Sequence, residues 1–208
     1  SGMLTHPTPL ETSGSLVNAL LYKFGENLSN LNGEFRRRID HRLDRNTCGL
    51  MLFAKNDKTE QSLLKAIRER KTTKIYEAVL VGCPKVDNTG LKAHLTKNAY
   101  TSTVKDTKSP TGNSEEIVTG YEIIQKSASL SYARINLITG KTHQIRAHFA
   151  FIGNPVLGDN KYGNDNINKQ YGQKKQLLIS KQITLQGTGT YLDGKTFTSD
   201  RSFIDFVN

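Results

Sequence analysis

This chain has no tryptophan, and only two cysteines and five prolines in 208 residues. Cys48 and Cys83 are too few for a disulfide framework, and no C-x-x-C pair exists, so a cysteine zinc site is excluded. A reduced, cytoplasmic setting is therefore the expectation. No apolar run approaches the roughly 18 to 20 residues of a membrane span. The opening SGMLTHPTPL has no basic stretch leading into an apolar one, so no secretory signal is read there. Acidic residues are also scarce. Asp and Glu number 19 against 29 Lys and Arg, a net charge of +10, and the pI is near 9.6. Such an excess of cations is the electrostatic footprint of a nucleic-acid binder, although a merely solvated basic surface gives the same count. Without tryptophan, base stacking would fall to the 8 Tyr, the 8 Phe or a His.

What is present suits a folded domain. Apolar residues make up 36% and charged residues 23%, too apolar for a disordered chain. The length is ample for a core without metal or disulfide staples. Pro7 and Pro9 keep the start extended. Ser13 or Ser15 can cap a helix carrying Leu16, Val17, Leu20, Leu21 and Phe24 and ending at Gly25. A loop with Asn27, Asn30, Asn32 and Gly33 leads into the basic stretch from Arg36 to Arg45. Leu50 to Ala54 reads as a short buried strand. Residues 58 to 70 read as a helix with Leu63, Leu64 and Ile67 inside. Lys74 to Gly82 alternates and is β-branched, so it predicts a strand with Tyr76, Ala78 and Leu80 on one face.

Residues 98 to 116 are polar and predict strand edges with a mobile hairpin loop. Val118 to Gln125 and Leu130 to Ile138 predict two more strands, and Thr139-Gly140 ends the second. A helix is expected from about Thr142 to Ile152, with Ile145, Phe149 and Ile152 on one stripe. Gly153 to Gly163 reads as a loop, 164 to 176 as an exposed polar stretch, and Leu177 to Leu185 and Thr196 to Val207 as closing strands. Strands in adjacent runs outnumber helices, which predicts one α+β domain over 1–208 with a mixed, mostly antiparallel sheet and flanking helices around a central cleft.

Three groups of residues can carry chemistry. In His41-Arg42-Leu43-Asp44-Arg45, one carboxylate lies between two arginines. Neighbouring cations favour the ionised form, and a positioned carboxylate can be a nucleophile. A surface ion-pair cluster would leave the same pattern. Thr139-Gly140-Lys141-Thr142 resembles the tail of a phosphate-binding loop, but the glycine that loop needs five residues earlier is Ile135, so a nucleoside-triphosphate site is rejected. The strand–glycine–helix geometry still offers amides and a lysine to a single phosphate. On the next helix His143, Arg146 and Ala150 share a face, either a solvated one or one that binds a carboxylate or an RNA backbone. Cys48, beside Gly49 and an apolar segment, reads as a packing residue rather than a thiol nucleophile.

Taken together, HRLDRNTCGLMLFAKN, KIYEAVLVG and ITGKTHQIRAHFAFIGNPVLGDNKYG resemble the three hallmark segments of the RluA/RluD family of RNA pseudouridine synthases, in order and with compatible spacing. The resemblance runs from His6-Pro7 to the terminal strands. It implies that Asp44 attacks the target nucleotide and that Tyr76 stacks on the target uracil and is the candidate to take its C5 proton. It further implies that Arg146 pairs with Asp44, that Arg42 helps displace the target base, and that Leu178 forms an apolar wall. Lys141 and His143 belong to the substrate-binding T-G-[RK]-T-H-Q-I-R run. Three departures stand out: Cys48 where the family has serine, Lys141 where it has arginine, and Ile179 where it has the histidine of an L-H-A element. Lys141 keeps the charge but loses the bidentate fork.

The opening residues resemble the end of an element that continues upstream in relatives, many of which carry an S4-type RNA-binding domain there. The expectation is a cofactor-independent, monomeric enzyme of the cytoplasm, acting on ribosomal rather than transfer RNA, with no DNA or membrane partner. The rival is a catalytically silent RNA-binding module using the same cleft. Isomerising uridine oxidises nothing and donates no group, so no cofactor and no metal are called for.

Overall fold

The computed structural model describes residues 1–25, 41–98 and 103–207. The polar loop read at Asn27 to Gly33, and Arg36 to Asp40 of the basic stretch, lie outside the described residues, as do 99–102 of the expected hairpin. The chain forms two compact units, Ser1–Thr73 with Gln182–Ser199, and Lys74–Lys181 with Asp200–Asn208.

The first unit opens with α1 (Leu16–Phe24). Ser15 caps it in a capping box: the Ser15 hydroxyl accepts from the Asn18 amide, and Asn18 Oδ1 accepts from the Ser15 amide at 3.0 Å. Two of the orphan donors at a helix start are thereby satisfied. Gly25, at φ 57°, ends the helix where expected. Strand β1 is short, Cys48–Gly49. The strand expected at 50–54 does not form. The Leu52 amide donates instead to His41 Nε2 at 2.9 Å, which takes it out of a ladder. The alternation read there is nevertheless real. Met51 and Phe53 pack with Val17 and Leu20 of α1, while Leu50 and Leu52 pack with Ala54, Leu63, Ile183 and Leu185. Helix α2 (Asp57–Arg68) buries Leu63 as expected, but its other buried positions are Glu60 and Ala66 rather than Leu64 and Ile67.

In the second unit the strands run in the order β7-β2-β6-β5-β3-β4. These are β2 (Thr73–Val81), β3 (Asn88–Asn98), β4 (Thr103–Thr107), β5 (Glu115–Lys126), β6 (Leu130–Leu137) and β7 (Leu178–Thr184). The β2–β6, β6–β5, β5–β3 and β3–β4 pairings are all antiparallel. The 98–116 region thus contains a paired strand, β4, as well as a loop. β7 runs on into the first unit, where it pairs with β8 (Thr196–Thr198). Only those three residues of the expected 196–207 strand pair; Ile204–Val207 form a 3-10 turn, tied to the sheet when the Phe203 amide donates to the Tyr132 hydroxyl at 3.2 Å.

Both faces of β2 are covered, so it is buried on both sides from Tyr76 to Leu80. On one face Val79, Leu130, Tyr132, Leu157, Leu177 and Val207 form a core. Glu77 shares that face and is buried; it accepts from the Tyr132 hydroxyl at 2.8 Å. On the other face Tyr76 lies opposite Ile135, and Ile135 opposite Tyr121. Helix α3 (Gln144–Phe151) crosses this second face. Phe149 packs its ring against Tyr121 with centroids 5.3 Å apart, and Ala147 joins Ala93, Leu95, Val104 and Ile117. The helix is buried at every position from Gln144 to Phe149, which is why it lacks the simple stripe read from the sequence. The 164–176 stretch is not wholly exposed: α4 (Asp165–Gln170) forms within it and buries Asn168.

Two buried titratable groups, Asp106 on β4 and His148 on α3, shift in opposite directions. Asp106 is 6% exposed and its carboxylate has no hydrogen-bond partner among the described residues; burial pushes it up to about 6. His148, hydrogen-bonded to Thr119 Oγ1 at 3.1 Å, is pushed down to about 4 by burial. A raised Asp contributes stability that is present below its unfolded value and lost as pH rises through 6. A depressed His contributes stability present above 6.5 and lost as pH falls towards 4. The two slopes thus run in opposite directions. Asp106→Asn is therefore expected to melt above wild type at pH 7, by a margin of up to about 3 kcal/mol. That margin should shrink to nothing by pH 4, checked by thermal melts across the range; a margin independent of pH would refute the assignment.

Candidate active site

The second unit brings several of the expected residues to one sheet face. Lys74 and Tyr76 stand two residues apart on β2, on the face crossed by α3. Gly140, in the turn that feeds α3, lies against Lys74: a Cβ there would sit 3.4 Å from Lys74 Nζ. Burial holds the Lys74 ammonium below the usual lysine range. Lys74 belongs to none of the chemistry-bearing groups of the sequence. Its signal was its spacing, since i and i+2 on a strand share a face.

Arg146 is 7% exposed on α3. Asp159 grips it from two sides: Nε donates to Oδ2 at 2.6 Å and Nη2 to Oδ1 at 2.9 Å. Burial by itself would raise the Asp159 carboxyl, but the Arg146 guanidinium and the amides of Lys161 and Tyr162 outweigh it and hold it below the usual carboxylate value. Asp159 therefore stays ionised. It also folds its own loop, since Oδ1 accepts from both those amides, at 2.8 and 3.1 Å. Gly163 is required by the same turn, because a Cβ there would meet the Asp159 carbonyl oxygen at 2.2 Å. Tyr162 then stacks beneath Arg146, its ring centroid 5.2 Å from the guanidinium carbon. The Tyr162 hydroxyl bonds His143 Nδ1 at 2.8 Å and accepts from the Val104 amide at 2.9 Å. His143 has φ 55°, a left-handed conformation uncommon for a residue with a Cβ, and its bond to Tyr162 helps fix it there. The GDNKYG run carries no sequence signal for Asp159 or Tyr162, because their partners Arg146 and Val104 are distant in the chain.

The single-phosphate reading of Thr139–Thr142 is not supported by the geometry. Gln144 fills that turn. Its Oε1 accepts from the Thr139 hydroxyl at 2.8 Å and from the Lys141 amide at 3.1 Å, while its Nε2 donates to Val118 and Thr119 of β5. The Lys141 ammonium is paired with Glu115. Leu178, 3% exposed, starts β7, the strand next to β2.

Asp44 and Arg42 belong to the first unit. Asp44 is half-buried in a segment pinned on both sides. The Leu43 carbonyl accepts from the Thr5 hydroxyl at 3.0 Å, the Arg45 carbonyl from the Gly2 amide at 2.6 Å, and the Asp44 carbonyl from the Thr47 amide at 2.9 Å. Arg45 gives its guanidinium to Glu11 at 2.5 Å, so the arginine that follows Asp44 is engaged elsewhere. Arg42 is exposed. Cys48 is buried, which suits packing. Among the described residues no group of three or more His, Cys, Asp or Glu side chains could hold a metal ion.

A family model described as RNA pseudouridylate synthase matches residues 1–151. The chain belongs to that family. The pseudouridylate synthase relatives include an uncharacterized RNA pseudouridine synthase of Aquifex aeolicus, 39% identical over 168 residues, 78% of this chain and 51% of that protein. Another is the ribosomal large subunit pseudouridine synthase D of Blochmanniella floridana, 36% identical over 166 residues, 78% of this chain and 49% of that protein. These agree with the RluA/RluD branch expected from the motifs. The chain spans about half the length of the curated relatives it matches. Among solved structures, human RNA pseudouridylate synthase domain containing 1 is similar at a TM-score of 0.73 and 22% identity, over 93% of this chain and 77% of that one. That likeness shows the fold, which is the α+β pseudouridylate synthase fold.

The Arg146–Asp159 pair yields a direct test. Removing one partner of a buried pair typically costs about 3 to 5 kcal/mol. Asp159→Asn is expected to lower Tm by roughly 6 to 20 °C in a thermal melt, whereas Lys141→Gln, at a half-exposed ion pair, should shift it little. Equal, small shifts for both would show that Asp159 is dispensable.

Proposed function

We propose that this chain supplies the catalytic machinery of an RNA uridine isomerase, converting uridine to pseudouridine with Asp44 as nucleophile. The observation that carries the reading is the family match across 1–151 together with a half-buried Asp44 on a backbone held by three hydrogen bonds. A nucleophile must be held near its attack geometry to be effective. In the reaction the N1–C1′ bond breaks, the base turns, the C5–C1′ bond forms, the C5 proton leaves and N1 gains one. Asp44 adds either to the base or to C1′; both satisfy this balance. Tyr76 stacks on the detached uracil and is the residue to receive the C5 proton. Arg146, Arg42, Leu178, Lys141 and His143 take substrate-side roles.

Large-subunit ribosomal RNA is the favoured substrate, because several relatives carry that name. The target base must leave its stack, and the net charge of +10 would hold the RNA backbone during that step. No membrane partner enters this reading, and among the described residues no helix is long and apolar enough to cross a membrane.

Asp44→Asn tests the nucleophile. The amide keeps the shape but loses the charge. Release of tritium from C5-labelled uridine RNA should fall below a hundredth of the wild-type rate, while Tm and RNA binding persist. A variant retaining more than that would leave a barrier increase below about 2.7 kcal/mol, too small for loss of a nucleophile. Wild type that binds RNA but releases no tritium would favour the silent binding module. Affinity for RNA should also fall steeply between about 50 and 200 mM salt through counterion release, measured by fluorescence anisotropy; a flat salt response would assign the charge to another purpose.

A further inference from the structure

The loop joining β7 to β8 in the first unit has no part in the chemistry above, yet it is tightly built. Asp193 Oδ1 accepts from the Thr188 amide at 2.7 Å and the Thr188 hydroxyl at 2.5 Å, and Oδ2 accepts from the Gly189 amide at 3.1 Å. The Leu192 amide donates to Thr190 Oγ1 at 3.2 Å. The Gly194 amide donates to the Leu185 carbonyl at 2.7 Å. Leu192 itself drops into the apolar cluster with Ile183 and Leu185. Residues on both sides of Tyr191 are thus immobilised.

Tyr191 nevertheless stands 83% exposed at the tip. A single exposed aromatic is ordinary; three surrounding features set this one apart. Its backbone is fixed, so stacking on the ring would lose little conformational entropy. The Lys195 ammonium lies 5.2 Å from the ring centroid, which covers one face and leaves the other to solvent. The third feature is Lys71, whose stem lies across Gly187, where a Cβ would meet Lys71 Cδ at 2.3 Å. Lys71 thereby braces the base of the loop, while its ammonium is paired with Glu69 at 2.7 Å.

We propose that this tip is a contact platform for the RNA, at which Tyr191 stacks on an unpaired base and Lys195 meets the flanking phosphate. It rests on the RNA-acting reading and deepens it, by assigning the chain a contact for single-stranded RNA outside the residues that act on the target uridine. An aromatic face beside a cation is the chemistry that holds single strands without reading their sequence. Inside a duplex the bases are already paired and stacked, so none is splayed out to it.

The test uses the purified chain and two fluorescein-labelled probes, a single-stranded uridine-rich 12-mer and an RNA duplex, with anisotropy as the readout. Tyr191→Ala should weaken single-strand binding roughly 5- to 150-fold and leave duplex binding and Tm unchanged. Tyr191→Phe should stay near wild type, because the ring is retained. Lys195→Ala should weaken binding of both probes and reduce the salt slope by about one. Wild type binding the single strand with Tyr191→Ala equal to it would overturn the platform while leaving the RNA-acting reading intact. Wild type binding neither probe would overturn both. A loss of self-association on Tyr191→Ala, with RNA affinity unchanged, would replace RNA by a second copy of the chain and also overturn the proposal.

Discussion

Arg146 is a cation almost wholly removed from water, and Asp159 is what makes that tolerable. An unpaired guanidinium at this depth would carry a desolvation penalty that packing could not offset. The bidentate grip of Asp159 meets it, and the consequences spread outward. Because Oδ1 also accepts the Lys161 and Tyr162 amides, the loop after α3 is folded around the same carboxylate. That loop delivers Tyr162, whose ring underlies Arg146 and whose hydroxyl ties His143 to β4. One carboxylate thus sets the position of an arginine, a histidine and a strand edge.

Polar groups as well as apolar ones organise the buried face of α3. Gln144 spans the turn before the helix and β5 beneath it, using both its carbonyl and its amide. His148 adds a bond to Thr119 on the same strand. Such networks specify one docking of helix on sheet, where an all-apolar contact would allow several. Asp106 is the exception, a buried carboxylate with no hydrogen-bond partner among the described residues, and it marks where this face gives up stability near neutral pH.

The first unit applies the same logic by other means. The segment around Asp44 is neither helix nor strand, so no ladder holds it. Isolated hydrogen bonds from Thr5, Gly2 and Thr47 do so instead, and the Arg45–Glu11 ion pair adds a tie. A loop fastened in this way can present a half-buried carboxylate without sealing it away from a substrate.

Much of this was legible in the chain itself. Local chemistry determined α1 from Ser15 to Gly25, because capping groups lie within three residues of the amides they serve. The 2-residue period of KIYEAVLVG determined β2, because pleating alone sets that alternation. The order of HRLDR, KIYEAVLVG and TGKTHQIR pointed to the family. Tertiary structure decided the rest. Leu50 to Ala54 alternates like a strand, but the Leu52 amide went to His41, a partner eleven residues away. Thr196 to Val207 pairs for only three residues, because Tyr132, from another strand, captures the Phe203 amide. The phosphate-like turn at Thr139 was closed by Gln144, and Arg146 received Asp159, thirteen residues on. Spacing along a chain determines which groups share a helix or strand face. It does not determine which distant polar group reaches a buried donor first, and that competition, resolved only when the elements pack, made the site.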